Sequence, residues 1–243
     1  MKVSVVIPFF NPPVNYFMEC VNSVLRLSPY EVILVDDCST DKRVVQIAKN
    51  SSCTYIRTSY QSGYDGHPFN LGVKHATGEY ICRVDSNDLL LKLPAQVKCD
   101  VFFGKADRVL VPTKNIIEEL ILAPRAILNG MLIKRELLLK YHAAEDINVF
   151  GDVLLVLRLL YNKHSYDFFH TVNYIYRKRQ GSIQTSKKPF HHRLRLVQTV
   201  ARFCHIENID PTLSVKYLEL AMLNVKHGSV SRQILYKQDK QKI

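Results

Sequence analysis

The chain has 243 residues, is 47% hydrophobic, and carries 33 Lys and Arg against 22 Asp and Glu for a formal net charge of +11. This length and apolar content suit a packed globular core and exclude a disordered chain. No apolar run approaches the ~18 residues of a membrane-spanning helix. The six cysteines form no CxxC pair, which argues against a zinc site or disulfide frame and for buried thiols in a reducing, cytoplasmic setting.

The charge is uneven. Residues 1–100 balance ten basic against ten acidic side chains, whereas residues 187–243 hold eleven against four. A basic tail behind a neutral half predicts an anionic surface or acceptor. No base-stacking motif or zinc-finger spacing accompanies it, so nucleic acid is not the expected partner.

In chain order, Met1–Pro8 reads as a strand rather than a signal peptide, its β-branched run Val3–Ile7 stopped by Pro8 and Pro12-Pro13. Val14–Leu27 has helical spacing, with Phe17, Val21, Val24 and Leu25 on one face. Glu31–Val35 is a second strand, Asp41–Lys49 a helix and Thr54–Arg57 a third strand. Pro68–Ala76 reads as a helix with Gly78 as its C-cap, and Tyr80–Val84 as the fourth strand. A helix near Pro94–Phe103 and a strand at Arg108–Pro112 are expected next. Arg135–Tyr141 and Asp152–Tyr161 read as helices, Val172–Arg177 as an edge strand, and His191–Cys204 and Thr212–His227 as amphipathic helices, with a frayed tail after Lys237. Alternating strands and helices predict an α/β fold, a mostly parallel central sheet flanked by helices, with a helical C-terminal extension.

In such sheets ligands bind beyond the carboxyl ends of the strands. Four features fall at those ends or at a helix start: Pro8-Phe9-Phe10-Asn11, Asp36-Asp37-Cys38-Ser39-Thr40-Asp41, Asp85-Ser86-Asn87-Asp88, and Phe150-Gly151-Asp152. Clustered oxygen ligands there suit a divalent cation and nucleotide phosphates, although the Asp85–Asp88 cluster taken alone reads equally well as a polar turn.

Together, Val3–Asn11, Leu34–Asp41 and Asn70–Asp88 strongly resemble the family 2 glycosyltransferases, nucleotide-sugar-dependent enzymes of the GT-A fold. The match in order, spacing and strand context covers about the first hundred residues. Gly151–Leu159 and Tyr176–Ser182 resemble later family segments more weakly. The resemblance implies a domain over residues 1–186, with a nucleotide-binding half (1–100) and an acceptor half (101–186), followed by a basic helical extension over 187–243. It implies an inverting transfer of a sugar from a nucleotide-sugar, a UDP-sugar above all, to a glycan hydroxyl in the making of lipooligosaccharide, capsule or another surface polysaccharide. The C-terminal basic helices would then meet an anionic membrane face as a peripheral attachment.

Under the resemblance Asp152 is the catalytic base, a role compatible with capping its helix. Asp37 would bond the nucleobase and Phe10 pack on it, unless Phe10 is ordinary core. Pro8 and Asn11 shape the loop, and Ser86 and Arg83 border the donor. Arg83 either touches phosphate or pairs with Asp85. Asp85, Asn87 and Asp88 would hold Mn²⁺ or Mg²⁺. Two positions depart from the family pattern: Asn87 where an aspartate is usual, and Arg179 where a histidine is usual. Asparagine brings no charge to a cation, and arginine cannot coordinate one but fits phosphate, so Arg179, with Arg177, is expected to carry part of the diphosphate's charge and to weaken the cation requirement. Two other readings stay open, a non-catalytic nucleotide-binding member of the same fold and a nucleotidyltransferase, although the latter's glycine-rich phosphate loop is missing after the first strand.

Overall fold

The computed structural model describes residues 1–106, 115–122, 124, 128–147, 149–177 and 189–227. Its strands are β1 (Val3–Phe9), β2 (Glu31–Asp36), β3 (Thr54–Arg57), β4 (Tyr80–Arg83), β5 (Leu89–Leu90), β6 (Val101–Phe103), β7 (Leu132–Lys134), β8 (Tyr166–Phe168) and β9 (Tyr174–Ile175). Its helices are α1 (Val14–Leu25), α2 (Lys42–Asn50), α3 (Gly66–His75), α4 (Ile116–Leu122), α5 (Arg135–Tyr141), α6 (Gly151–Tyr161), α7 (Pro189–Ile206) and α8 (Pro211–His227).

The main sheet has the order β3-β2-β1-β4-β7-β6-β8. β1 to β4 run parallel, β7 enters antiparallel between β4 and β6, and β8 lies parallel to β6. The parallel half therefore brings the carboxyl ends of β1, β2 and β4 to one edge, where the acidic turns begin.

Period-two alternation divides β1 between two apolar layers. Val3, Val5, Ile7 and Phe9 pack with Phe17, Cys20, Val21 and Val24 of α1 and Val44 of α2. Val6 faces the other layer, with Phe69 and Val73 of α3, Leu138 of α5 and Leu155 and Leu159 of α6. The opposite side of α6, Val153, Leu154 and Leu157, meets Leu196, Val200 and Phe203 of α7 and Ala221 of α8. A helix covered on both sides must be apolar all round, which accounts for the unbroken run in α6. Two ion pairs reinforce that docking: Arg158 of α6 with Glu207 at 2.6 Å, and Asp146 with Arg202 of α7 at 2.7 Å.

Several expectations need correction. Residues 94–100 form no helix and Val101–Phe103 is a strand, because Val97, Cys99, Val101 and Phe103 repeat with period two. Gly78 is not a C-cap, since α3 ends at His75 with Ala76 as its cap. It lies instead where a Cβ would stand 2.4 Å from Ser4 Oγ, and its N–H donates to that oxygen at 2.9 Å. Within Val172–Arg177 only Tyr174–Ile175 is strand, and it pairs with β5 in a separate antiparallel ribbon. The strand expected at 108–112, the tail after Lys237, and Arg179 fall outside the described residues. Among the described residues no helix is long and apolar enough to cross a membrane.

Candidate active site

The turn after β2 is built around Asp36, which is fully buried. Its carboxylate accepts from Ser39 N–H at 2.7 Å, Tyr55 O–H at 2.8 Å and Arg57 Nη1 at 2.6 Å. Asn11, with φ of 43°, braces the neighbouring loop: its Oδ1 accepts from Thr40 and Asp41 N–H, both at 2.9 Å. Asp41 in turn accepts from Arg43 N–H at 2.9 Å and caps α2. Pro8 is buried inside β1, so it and Asn11 form the frame of this edge of the sheet, whereas Phe10 stands 41% exposed beyond the strand. An open aromatic ring beside two braced turns has the geometry to cover a nucleobase.

Asp37 is nearly buried, and its carboxylate is gripped by the loop after β3. Ser62 N–H reaches both oxygens at 3.1 Å, Ser62 Oγ lies at 2.9 Å, and Gly63 N–H at 3.3 Å. Gly63 has φ of 73°, a conformation that favours glycine and lets successive N–H groups converge on one anion. The same loop ends at Asp65, whose carboxylate pairs with Arg83 at 2.6 Å. Loop 58–65 therefore joins the two acidic strand ends, a connection not visible in the motif spacing.

At the end of β4, the buried Arg83 holds Asp65 and Asp85, donating to Asp85 Oδ1 from Nε at 3.2 Å and Nη2 at 3.0 Å. Burial opposes its charge, but the two carboxylates outweigh that and keep the guanidinium firmly protonated. Of the two roles open to Arg83, the ion pair is the one formed. The second oxygen of Asp85 accepts from Asn129 Nδ2 at 2.7 Å. Asn129 is a site residue that no sequence pattern announced. Its Oδ1 is buried without a hydrogen-bond partner among the described residues, and flipping the amide would set that oxygen against Asp85.

Asp88 turns inward. It is fully buried, and accepts from Tyr174 O–H at 2.6 Å and Arg177 N–H at 2.8 Å. Burial, reinforced by the negative charge of Asp85, pushes its carboxyl up to about 6. Asn87 Nδ2 lies 3.2 Å from Asp88 Oδ1 and Ser86 is half-buried between the acidic residues. The Arg177 guanidinium is clamped by Asn87 O, Glu19 and Tyr16 O, and lies over the Tyr16 ring. It is thereby committed to joining α1 to this loop rather than open to a diphosphate.

These contacts bear on a cation. Asp85 already serves Arg83 and Asn129, Asp88 serves the β5–β9 ribbon, and Asn87 offers only an amide. Among the described residues no group of three or more His, Cys, Asp or Glu could hold a metal ion. The donor set as placed fits a divalent cation poorly.

Asp152 sits in the first turn of α6, one residue inside Gly151, and its Oδ1 accepts from Val153 N–H at 2.9 Å. The cap itself is Phe150, in the left-handed region at φ 68°. Gly151 and Gly66 approach the same residue. A Cβ on Gly66 would stand 2.0 Å from Ala144 O, and one on Gly151 3.9 Å from Ala144 Cβ. The first turn of α6 is thus one residue away from the start of α3, beside the Asp65–Arg83–Asp85 chain. Of the other acids near this turn, Glu145 is bound by Asn70 at 2.8 Å and His67 at 3.0 Å, while Asp146 is paired with Arg202.

Residues 4–97 match the family model for glycosyl transferase family 2. The poly(ribitol-phosphate) beta-N-acetylglucosaminyltransferase TarS of Staphylococcus aureus is 35% identical over 99 residues, covering 38% of this chain and 17% of that protein. A poly(ribitol-phosphate) beta-glucosyltransferase of Bacillus spizizenii is 38% identical over 98 residues, covering 37% and 15%. The chain thus spans less than a fifth of the length of either relative. In three dimensions, S. aureus TarS 1–349 in complex with UDP-GlcNAc matches 96% of this chain and 74% of its own, with a TM-score of 0.62 at 21% identity. The mannosyltransferase PcManGT of Pyrobaculum calidifontis, in complex with GDP-Man and Mn²⁺, matches 94% and 70% with a TM-score of 0.58 at 16% identity. The sequence match over the segment that bears both acidic strand ends, and the fold match over nearly all of the chain, lead to one assignment: the chain carries a glycosyl transferase family 2 domain on a GT-A fold.

Proposed function

We propose that the chain is an inverting glycosyltransferase that moves a sugar from a UDP-sugar to a hydroxyl of a glycan or polyol acceptor in surface-polysaccharide synthesis. The observation that carries this is the meeting of the Asp37 turn, the Asp85 turn and the first turn of α6 at the carboxyl edge of the parallel strands. The names of two relatives carry a poly(ribitol-phosphate) acceptor, and one neighbouring structure holds UDP-GlcNAc, which supports the donor class and a polyol or glycan acceptor.

In this reading Phe10 covers the base and Asp37 takes its imide N–H, with Pro8 and Asn11 holding the edge. Ser86 and Asp85 border the ribose and diphosphate, and Arg179 adds charge against the leaving group. Asp152 accepts the proton of the acceptor hydroxyl as its oxygen bonds to the anomeric carbon; the bond from that carbon to the diphosphate oxygen breaks, and UDP leaves with the electron pair. One displacement inverts the configuration and needs no covalent nucleophile. Asp85, Asn87 and Asp88 are the residues that would hold a divalent cation, whose chemistry would be to offset the diphosphate's charge, and their poor fit as a donor set favours a weak requirement. The place of work is the cytoplasmic membrane face, reached through the basic C-terminal helices.

A screen of nucleotide-sugars for thermal stabilisation, with and without Mn²⁺, tests donor and cation together. Asp152→Asn should lower transfer by about 10² to 10⁴-fold while UDP still binds. Unchanged transfer in that variant would remove Asp152 from the mechanism. The two departures from the family pattern, Asn87 and Arg179, favour a second reading, a nucleotide-binding protein without turnover, and absence of donor hydrolysis and transfer alongside tight UDP binding would select it.

A further inference from the structure

One cluster at the rim of the site takes no part in the chemistry above. Loop 58–65 is tied to Asp37 through Ser62 and to Arg83 through Asp65, and just ahead of these ties it presents Tyr60, which is 57% exposed. The ring is held in place nonetheless, stacked on His67 at 5.1 Å between centroids with 29° between planes. His67 Nδ1 lies 3.0 Å from Glu145 Oε2, and Glu145 Oε1 accepts from Asn70 Nδ2 at 2.8 Å. Asn70 is itself buried and bonded to Ala143 through both ends of its amide, at 2.8 and 2.9 Å. Burial works against the charge on Glu145, but the hydrogen bonds from Asn70 and His67 prevail and hold its carboxyl below the usual range. Three segments thus contribute an open aromatic face, an imidazole edge and an ionised carboxylate that remains 46% exposed. The cluster adjoins Ala144, the residue approached by both Gly66 and Gly151, and so lies beside the turn that bears Asp152.

We infer that Tyr60, His67 and Glu145 form the binding platform for the acceptor, a neutral saccharide or polyol. Its C–H face lies on the tyrosine ring, and its hydroxyls donate to the carboxylate and bond the imidazole. A ring held flat loses little freedom on binding, and a few fixed polar groups beside it set the orientation. The assignment as acceptor platform rests on the transferase reading above, but saccharide binding at these residues can be judged separately.

The test titrates ribitol, methyl β-galactoside, methyl β-glucoside and N-acetylglucosamine by saturation-transfer NMR, with and without UDP. Tyr60→Ala should weaken the probes that bind by about tenfold, the loss of one aromatic contact, while Tyr60→Phe stays close to the parent. Glu145→Gln should weaken them severalfold, and the UDP affinity and melting temperature of Tyr60→Ala should match the parent's. No probe binding to the parent, parent-like binding by Tyr60→Ala, or equal losses in Tyr60→Phe and Tyr60→Ala would each overturn the platform. Failure of UDP to bind the parent would instead remove the donor reading, with the platform still judged by the probes alone.

Discussion

Gly66 and Gly151 approach Ala144 from two sides, and the structure predicts opposite outcomes for the same substitution at each. In Gly66→Ala the new Cβ would meet Ala144 O at 2.0 Å and its carbonyl carbon at 2.8 Å. Ordinary contact lies beyond 3 Å, so the start of α3 or the 143–145 backbone must move by about 1 Å, and overpacking against unyielding backbone costs about 1–3 kcal/mol. That movement also pulls apart the two Asn70–Ala143 hydrogen bonds, each worth about 1 kcal/mol. Helix propensity returns at most about 1 kcal/mol. The net loss is about 2–4 kcal/mol, a fall in Tm of about 5–15 °C for a chain of this size. Gly151→Ala meets only ordinary contacts, 3.7 Å to Ile147 Cβ and 3.9 Å to Ala144, and should leave Tm unchanged or slightly raised. Thermal unfolding followed by circular dichroism measures both. A Gly66→Ala variant within about 2 °C of the parent, a shift below about 1 kcal/mol, would refute the close packing of α3 on the loop before Asp152.

Asp88, with a carboxyl pushed up to about 6 by burial and by Asp85, binds its proton more tightly in the folded than in the unfolded chain. Its contribution to stability is full below about pH 4 and is lost as pH rises through 6, so the Tm of Asp88→Asn relative to the parent should rise between pH 4 and pH 7; a constant difference would contradict this. Asn129→Asp sets a second carboxylate 2.7 Å from Asp85 Oδ2 and should destabilise the protein more at pH 8 than at pH 5, as read by urea midpoints; equal losses at both pH values would place the charge elsewhere. Cys20 and Cys82 are buried, and burial pushes both thiols up, Cys82 to about 12, so neither should react with iodoacetamide at pH 8 before unfolding. Half-buried Cys38 should be labelled ahead of both, and mass spectrometry of the labelled native protein checks the order.

Local periodicity was sufficient for most of the elements. The strands and helices through Arg83 repeat with periods of two and 3.6, and their bounds follow the apolar residues closely. It failed where signals were short or mixed. The three residues of β7 cannot announce a strand by themselves, and they become one only because β4 and β6 offer edges on either side. Between Pro94 and Phe103 a two-residue alternation was outweighed by an apparent helical run. At the site, the acidic turns were legible because parallel strands carry polar residues at their carboxyl ends. The destinations of those side chains were not. Asp36, Asp37, Asp85 and Asp88 look alike in sequence, but one organises a turn, one is held by a distant loop, one is shared by Arg83 and Asn129, and one is buried against Tyr174.

The sequence by itself determined the α/β architecture, the family resemblance and the acidic turns, since each depends on residues adjacent in the chain or spaced by a regular period. Tertiary structure alone decided how the charges are shared. Arg83 with Asp65, Asn129 with Asp85, Tyr174 with Asp88 and His67 with Glu145 are separated by 18, 44, 86 and 78 positions. No propensity acts across such distances, and the pairings arise only when the packed sheet and helices bring the groups within hydrogen-bonding reach in a setting dry enough for every charge to need a partner.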